Sequence, residues 1–344
     1  MAVQPQPGLP AAPTLLDVAA AAGVSQATAS RVLNGSTRKV AVAYRDRVLA
    51  AAEELGYTAN LSAQATARGT SSVIALLVAD IADPYFGQIA SGVARGADEV
   101  GLVVTIAITE RDHDREVRLV RTLRGLRPHA LILAASRGSD PAPGLLQELE
   151  AFSSAGGRVV ALGPGAGEAR AVTVDNHGGA VALGGALAGI GYRRAVVLAA
   201  SLGVHSSDDR VAGFTEGFTA GGGEVLRVHH AGYNRESGHR AMRAALAFGL
   251  EPGTLVFGVS DMVAVGAMAA LREADRAVGP DIAVAGFDDT PTGRDVSPPL
   301  TTVHIPLEEL GYQATRAAVD HDWRHVAAGL ELDVVLRAST PPLG

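Results

Sequence analysis

Between Ser25 and Gly35 the sequence reads SQATASRVLNG. At about 100° per residue, a helix over this stretch turns Ala29, Val32 and Leu33 to one side and Gln26, Ala27, Ser30 and Arg31 to the other. The second face could read hydrogen-bond patterns. An arginine can bond O6 and N7 of guanine together, a glutamine can pair with adenine, and an alanine offers a methyl-sized contact such as thymine accepts. Taken alone, the same pattern also describes an ordinary surface helix, so its surroundings have to decide between the two.

Other chemistries find less support. There are no cysteines, which excludes disulfides and thiolate metal sites. The ten histidines show no H-E-x-x-H or comparable ligand spacing, and on a strand the side chains of His229 and His230 would diverge. The GVSDM segment has the serine of a nucleophile elbow but Met262 where the sharp turn needs a second glycine. LGPGAG follows an apolar run, yet Glu168 takes the last glycine position of a dinucleotide fingerprint. No catalytic residue, metal or cofactor is assigned, and the chain is not expected to be an enzyme.

The elements that would position the SQATASRVLNG face are helical. Leu15 to Ala22 is helical in composition, Gly23 breaks it, and Ser25 can N-cap a second helix that ends at Asn34 and Gly35. A third helix is expected from about Tyr44 to Leu55, with Val48, Ala52 and Leu55 on one face and Gly56 as its stop. After Ser71 the texture changes to short apolar runs separated by helix-like stretches: VIALLVAD, VVTIAI, ALILAA, RVVALG, AVTV, AVVLAA, EVLRVHH, TLVFGVS and IAVAGF. Apolar strands alternating with helices indicate parallel sheets covered on both faces. So many strands divide more naturally into two doubly wound sheets than into one, with GPGAGEAR as the seam.

At 344 residues and 47% hydrophobic, the chain is long enough for two or three packing units. Its net charge of -7 is unevenly spread: the first 70 residues hold six basic and four acidic side chains, the rest 23 and 32. A mildly basic head on an acidic body suits a small DNA-contacting module, because phosphate neutralisation needs only local positive charge. Residues 1–13 are proline-rich, with neither a basic cluster nor an apolar core, and read as a flexible tail rather than a secretion signal. No apolar run is long enough to span a membrane, so no membrane partner and a cytoplasmic location are expected.

TLLDVAAAAGVSQATASRVLNG, followed by RVLAAAEELGYTANLSAQATARGTS, resembles the lactose/galactose repressor (LacI/GalR) family of bacterial transcription factors. The resemblance continues through DPYFGQIASGVARGADEVG, VTVDNHGGA, DRVAGF, SDMVAVGAMAALREA, DIAVAGFDDT, PPLTTVHIP and LRASTPP, so it covers nearly everything after Thr14. It implies an α/β protein with an all-α helix-turn-helix head (14–59), a hinge helix and linker (60–70), and a two-lobed periplasmic-binding-protein-like core (71–340). The core would hold two doubly wound parallel sheets joined by three crossovers. Its N-lobe would take about 71–168 and 301–331, its C-lobe about 169–300 and 332–340.

The resemblance places Gln26, Ala27 and Arg31 as base readers, and Thr14, Ser25, Thr28, Ser30 and Asn34 at backbone phosphates, which set register rather than sequence preference. Asn60 to Arg68 matches a hinge that orders in the minor groove, with Asn60, Ala63, Gln64 and Thr66 toward DNA. Thr66 stands where the family has a leucine wedge, and a threonine is a poorer unstacker. Weaker operator bending is therefore expected, or hinge specificity carried by Ala63 and Gln64. Ala59 replaces a common proline, and Ala41 stands where a serine or threonine often caps the third helix.

In the core, the resemblance places Tyr85, Phe86 and Tyr233 on an aromatic wall, with Arg210 and Asp288 holding effector hydroxyl groups. Ser260 replaces an asparagine common in sugar-binding members, so contacts there are expected to be fewer or water-bridged. Asp261 is read as the cap of the following helix. The implied partners are palindromic operator DNA, a sugar or sugar derivative ahead of a purine, and a second copy of the chain in a homodimer. The leading reading is an effector-controlled repressor of carbohydrate-use genes. Its rivals are a solute-binding protein and a sugar- or nucleoside-processing enzyme.

Overall fold

The computed structural model describes residues 13–33, 40–58, 70–134, 143–163, 166–323 and 330–343, and the chain forms two units, Met1–Ser71 and Ser72–Gly344. In the first, helices α1 (Leu15–Ala22), α2 (Gln26–Leu33) and α3 (Val42–Glu54) close around Val18, Ala19, Ala22, Ala29, Val48, Ala51 and Ala52. With alanine so common in this small core, the helices can approach closely. Helix α1 opens with a capping box, in which the Thr14 hydroxyl accepts from Asp17 N–H and the Asp17 carboxylate takes the Thr14 N–H. It stops at Gly23, whose φ of +62° is a left-handed conformation costly to other residues.

Two details of the head differ from the sequence-based expectation. Helix α3 begins at Val42 rather than Tyr44, and Leu55 is exposed while Ala51 takes the buried position. Ala51 and Leu55 lie one turn apart, and the chain has already left the helix at Leu55. Ala41 is the N-cap of α3 and makes no side-chain cap hydrogen bond, although its φ of -58° and ψ of 138° hold it outside the helix as a cap residue must be. Ala41→Ser is expected to stabilise the head by about 1 kcal/mol, read as slower amide hydrogen exchange along α3. Unchanged exchange would show that a hydroxyl there does not reach the free N–H groups.

The second unit contains the nine strands read from the apolar runs. β1 (Val73–Val78), β2 (Val103–Ile108), β3 (Ala130–Leu133), β4 (Arg158–Leu162) and β5 (Arg170–Val172) form a parallel sheet in the order β2-β1-β3-β4-β5. β6 (Arg194–Ala199), β7 (Glu224–His230), β8 (Thr254–Gly258) and β9 (Ile282–Ala285) form another in the order β7-β6-β8-β9. Burial on both faces explains the unbroken apolar runs of the inner strands, while the edge strands β2 and β7 are largely exposed. Ile74, Leu76 and Val78 of β1 enter one core cluster while Ala75 and Leu77 enter another, and β6 divides in the same way.

Strand pairing corrects the expected lobe boundary. GPGAGEAR lies between β4 and β5, and β5 pairs in parallel with β4, so Arg170–Val172 belongs to the first sheet and the change of sheet comes only after Val172. The expected division at 168/169 falls one strand too early, because a loop rich in Gly and Pro inside a sheet looks like a seam between sheets. A short antiparallel pair, β10 (Thr302–His304) and β11 (Asp333–Val335), forms where the chain passes between the lobes.

Helices α4 (Pro84–Asp98), α5 (His113–Gly125), α6 (Pro143–Ser154) and α12 (Leu307–Val319) belong to the first lobe. The second lobe holds α7 (Asn176–Gly189), α8 (His205–Ala220), α9 (Arg235–Ala247), α10 (Asp261–Glu273) and the short α11 (Pro291–Asp295). α7 and α8 pack with their backbones nearly touching. A Cβ added to Gly217 would lie 2.1 Å from the Val181 carbonyl oxygen, and one on Gly213 2.2 Å from that of His177.

Candidate functional site

Both sheets reverse strand order at one place, between β1 and β3 in the first and between β6 and β8 in the second. In open α/β sheets ligands gather outside the carboxyl ends of the strands at such switch points. A small cleft lies there, open to solvent. Asp83, Tyr85 and Phe86 reach it from the end of β1, Arg111 from the end of β2, Ser206 and Arg210 from α8, Tyr233 from beyond β7, Ser260 from beyond β8 and Asp288 from beyond β9.

Arg210, 3% exposed, is the centre of the site. Its Nε donates to Asn176 Oδ1 at 2.8 Å, its Nη1 donates to the Val259 carbonyl at 2.7 Å, and its guanidinium lies 4.1 Å from the centre of the Phe287 ring. Asp288 Oδ1 stands 2.8 Å from Nη1 in a buried ion pair, and no donor among the described residues meets it in good hydrogen-bond geometry. A buried acceptor left in this state costs free energy until something donates to it. Burial pushes the Asp288 carboxyl well above its ordinary range against the pull of Arg210. Burial works against the Arg210 cation as well, but Asp288 opposes it and keeps Arg210 charged.

The backbone at Asp288 is strained, with φ at +116°, a region costing about 1–3 kcal/mol for a residue other than glycine. Its N–H donates to the Val303 carbonyl at 2.9 Å, and neighbouring Asp289 accepts from Arg294 and Arg337, so surrounding contacts enforce the conformation. Asp261 contributes to the same support. It is not the cap of α10: Ser260 is, its Oγ accepting from Val263 N–H at 3.3 Å. The Asp261 carboxylate instead accepts from Thr290 N–H at 2.6 Å, Thr290 Oγ1 at 3.1 Å and Thr302 Oγ1 at 2.6 Å, fastening the loop that presents Asp288.

Aromatic groups flank the pair. Tyr85 meets Phe86 edge-on with ring centres 5.1 Å apart, and Phe86, 3% exposed, is part of the core as well as of the cavity wall. The Tyr233 hydroxyl lies 2.8 Å from Ser206 Oγ, and Arg111 covers the Tyr233 ring at 5.0 Å. Burial raises both tyrosine hydroxyls, which stay neutral and able to donate. It also raises Asp83, which accepts from Tyr85 N–H at 3.0 Å. The structure thus brings together all six cleft residues expected from the sequence, Tyr85, Phe86, Arg210, Tyr233, Ser260 and Asp288, and adds Asp83, Arg111 and Ser206. Asp83 and Arg111 lie in the loops that follow apolar runs at the carboxyl ends of parallel strands, and that position is the signal that would have found them, whereas Ser206 lies in the first turn of α8, one turn before Arg210.

In the head, Gln26, Ala27 and Arg31 are exposed on one face of α2 while Ala29 is fully buried and Val32 and Leu33 pack on the head core. Ser25 Oγ accepts from Thr28 N–H at 3.2 Å and pairs with the Thr28 hydroxyl at 2.9 Å, so Ser25 caps α2. Thr14 is committed to its capping box. Ser30 is half-buried. Asn34, Asn60, Ala63, Gln64 and Thr66 lie outside the described residues.

Residues 14–60 match the model of bacterial regulatory proteins, lacI family, and residues 185–340 that of a periplasmic binding protein-like domain. The HTH-type transcriptional regulator CelR of Thermobifida fusca is 33% identical over 315 residues, 90% of this chain and 91% of that protein. The chain belongs to the lacI family. Its fold follows that of the lac repressor dimer bound to operator and the anti-inducer ONPF, with a TM-score of 0.78 and 26% identity over 95% of this chain and 99% of that one. It also follows the CelR–cellobiose complex, with a TM-score of 0.66 and 30% identity over the same shares. This lacI-family member is a helix-turn-helix transcription regulator, as its relatives are, and not an enzyme. The head match also removes the solute-binding alternative. Among the described residues no helix is long and apolar enough to cross a membrane, and no cluster is placed to hold a metal.

Proposed function

We propose that this regulator is a cytoplasmic homodimeric repressor of carbohydrate-use genes that binds a palindromic operator and responds to a sugar-class effector in the core cleft. Residues 14–59 form the DNA-binding head, 60–70 the hinge, and the remainder, to about 340, the effector-binding and dimerising core. Gln26, Ala27 and Arg31 read base edges. Thr14, Ser25, Thr28, Ser30 and Asn34 contact phosphate, and Asn60, Ala63, Gln64 and Thr66 act in the hinge. Two heads match two half-sites only in a symmetric pair.

The observation that carries the effector reading is the buried Arg210–Asp288 pair with an acceptor left over, set between Tyr85 and Tyr233. A donor and an acceptor side by side suit neighbouring hydroxyl groups, and the aromatic rings suit the apolar face of a sugar ring. CelR is known in complex with cellobiose, which supports the class. Because the wall comes from both lobes, a bound effector favours one closure state, and linkage makes its effect on DNA affinity reciprocal.

Thermal unfolding of the full chain with a panel of neutral sugars and purines tests this reading. Sugars of one stereochemical series are expected to raise Tm and to change affinity for palindromic DNA, and a purine acting in their place would overturn it. On the DNA side, Arg31→Ala should cost about 1–3 kcal/mol on the preferred operator and less on variants at one base position. Equal losses on every sequence would reassign Arg31 to phosphate.

A further inference from the structure

A larger cavity lies in the first lobe, and none of its wall residues lines the cleft at Arg210. It measures about 420 Å3 and is open to solvent. α6 forms one wall, β4 contributes Val159, and the loop that joins β4 to β5 closes it with Ala166–Ala169. Leu146, Leu149, Glu150, Ser153 and Ser154 follow one another at i, i+3, i+4, i+7 and i+8, so a single stripe of α6 faces the loop. The floor is apolar, with Leu149, Val159 and Ala166 buried in the core cluster beneath. At Gly167, whose φ is +61°, the loop comes so close to the helix that an added Cβ would stand 3.2 Å from Leu146 Cδ2. The rim is polar. Glu150, Ser153 and Ser154 on α6 and Glu168 on the loop are exposed, and among the described residues none of the four has a side-chain hydrogen bond or ion pair. By contrast Glu148, two positions before Glu150, is buried and paired with Arg121 and Arg124.

We propose that this cavity is a second small-molecule site and that it takes an organic cation, an apolar body carrying one ammonium group. Small-ligand pockets hold about 300–1,000 Å3, so 420 Å3 is enough for one such molecule. Three features agree on the charge. Glu150 and Glu168 offer unpaired carboxylates from opposite walls. The C-terminal end of a helix favours cations, and Ser153 and Ser154 lie in the last turn of α6, which contains no basic residue. Their hydroxyl oxygens can accept from an ammonium that the carboxylates attract. An inorganic cation would leave the apolar floor uncovered, and a neutral apolar molecule would leave the carboxylates unused. The site does not depend on what fills the cleft.

Isothermal titration of the full-length regulator with phenethylamine, with neutral phenylethanol and with anionic phenylacetate tests this. The amine is expected to bind at least about five-fold more tightly than the alcohol, a difference of the size that exposed ion pairs supply, and the anion most weakly. The preference should shrink as salt is raised, because the carboxylates are exposed. Glu150→Gln with Glu168→Gln should bring amine and alcohol within about two-fold of each other and leave Tm without ligand unchanged, since neither carboxylate has a partner to lose. Ser153→Trp, which puts a ring at the mouth of the cavity, should abolish binding of both. Equal binding of amine and alcohol to the parent overturns the proposal, as does no binding of any of the three. A preference that survives the glutamine variant, or amine binding that survives Ser153→Trp, places the amine elsewhere and overturns it as well.

Discussion

Arg210→Met is expected to destabilise the core by roughly 3–5 kcal/mol and to abolish the response of DNA binding to effector. The size follows from what Arg210 holds. Its loss leaves the Val259 carbonyl and Asn176 Oδ1 without donors and removes the cation that opposes the burial of Asp288. Asp288 must then stay protonated or remain an unpaired buried charge on a strained backbone. Arg210→Lys separates charge from geometry: it keeps the cation but cannot reach Asn176, Val259 and Asp288 at once, since an ammonium has no planar fork. It should recover part of the stability and little of the effector affinity. Urea unfolding and effector titration of both variants check this, and a methionine variant as stable as the parent would show that the pair contributes nothing to the fold.

The elements around this site were legible for a physical reason. Inner strands buried on both faces leave unbroken apolar runs, and the more exposed edge strands β2 and β7 could still be read because they fall in the same alternation of strand-like and helix-like stretches. The turn of the head was equally open, because Gly23 and the Ser25 cap are local signals. What the sequence concealed depends on partners far along the chain. Asp261 looked like a cap because it sits at a helix start, while its actual partners, Thr290 and Thr302, are 29 and 41 residues away. β5 looked like the beginning of a new lobe because three residues after a glycine-rich loop carry no information about which sheet they join. Arg111 could not be placed from composition. Consecutive left-handed residues, Glu110 at φ +56° and Arg111 at +58°, set its course after β2, where it covers Tyr233 from the other lobe. The six cleft residues were found from family resemblance rather than from pattern, and the parallel-strand rule would have added Asp83 and Arg111.

Asp261→Asn should change how stability depends on pH. Complete burial pushes the Asp261 carboxyl up to about 7, despite its three donors and with Asp289 adding to the push. A carboxyl in an unfolded chain titrates near 3.9, so between about pH 4 and pH 7 the folded state binds more protons than the unfolded one. Stability from this group is therefore fully present below about pH 4, falls as pH rises, and is lost above about pH 7, with a ceiling of about 4 kcal/mol for the full shift. His129 and His229, which burial holds below their ordinary value, work the other way. Their contribution is present above about pH 6.5 and is lost as pH falls, so the overall profile of the parent does not isolate Asp261. The difference between variant and parent removes the histidine contribution and reports Asp261 together with its upward push on the Asp288 carboxyl. Asparagine keeps an oxygen for the Thr290 N–H and Oγ1 and turns its amide toward Thr302 Oγ1, which can accept, so the loop stays fastened while the titration disappears. Urea unfolding should show the variant gaining on the parent from about pH 4.5 to about pH 7 and the difference levelling off above that. A constant difference would mean that the three donors keep Asp261 ionised throughout. Because Asp261 fastens the loop presenting Asp288, effector affinity of the parent should weaken over the same window and that of the variant should vary less.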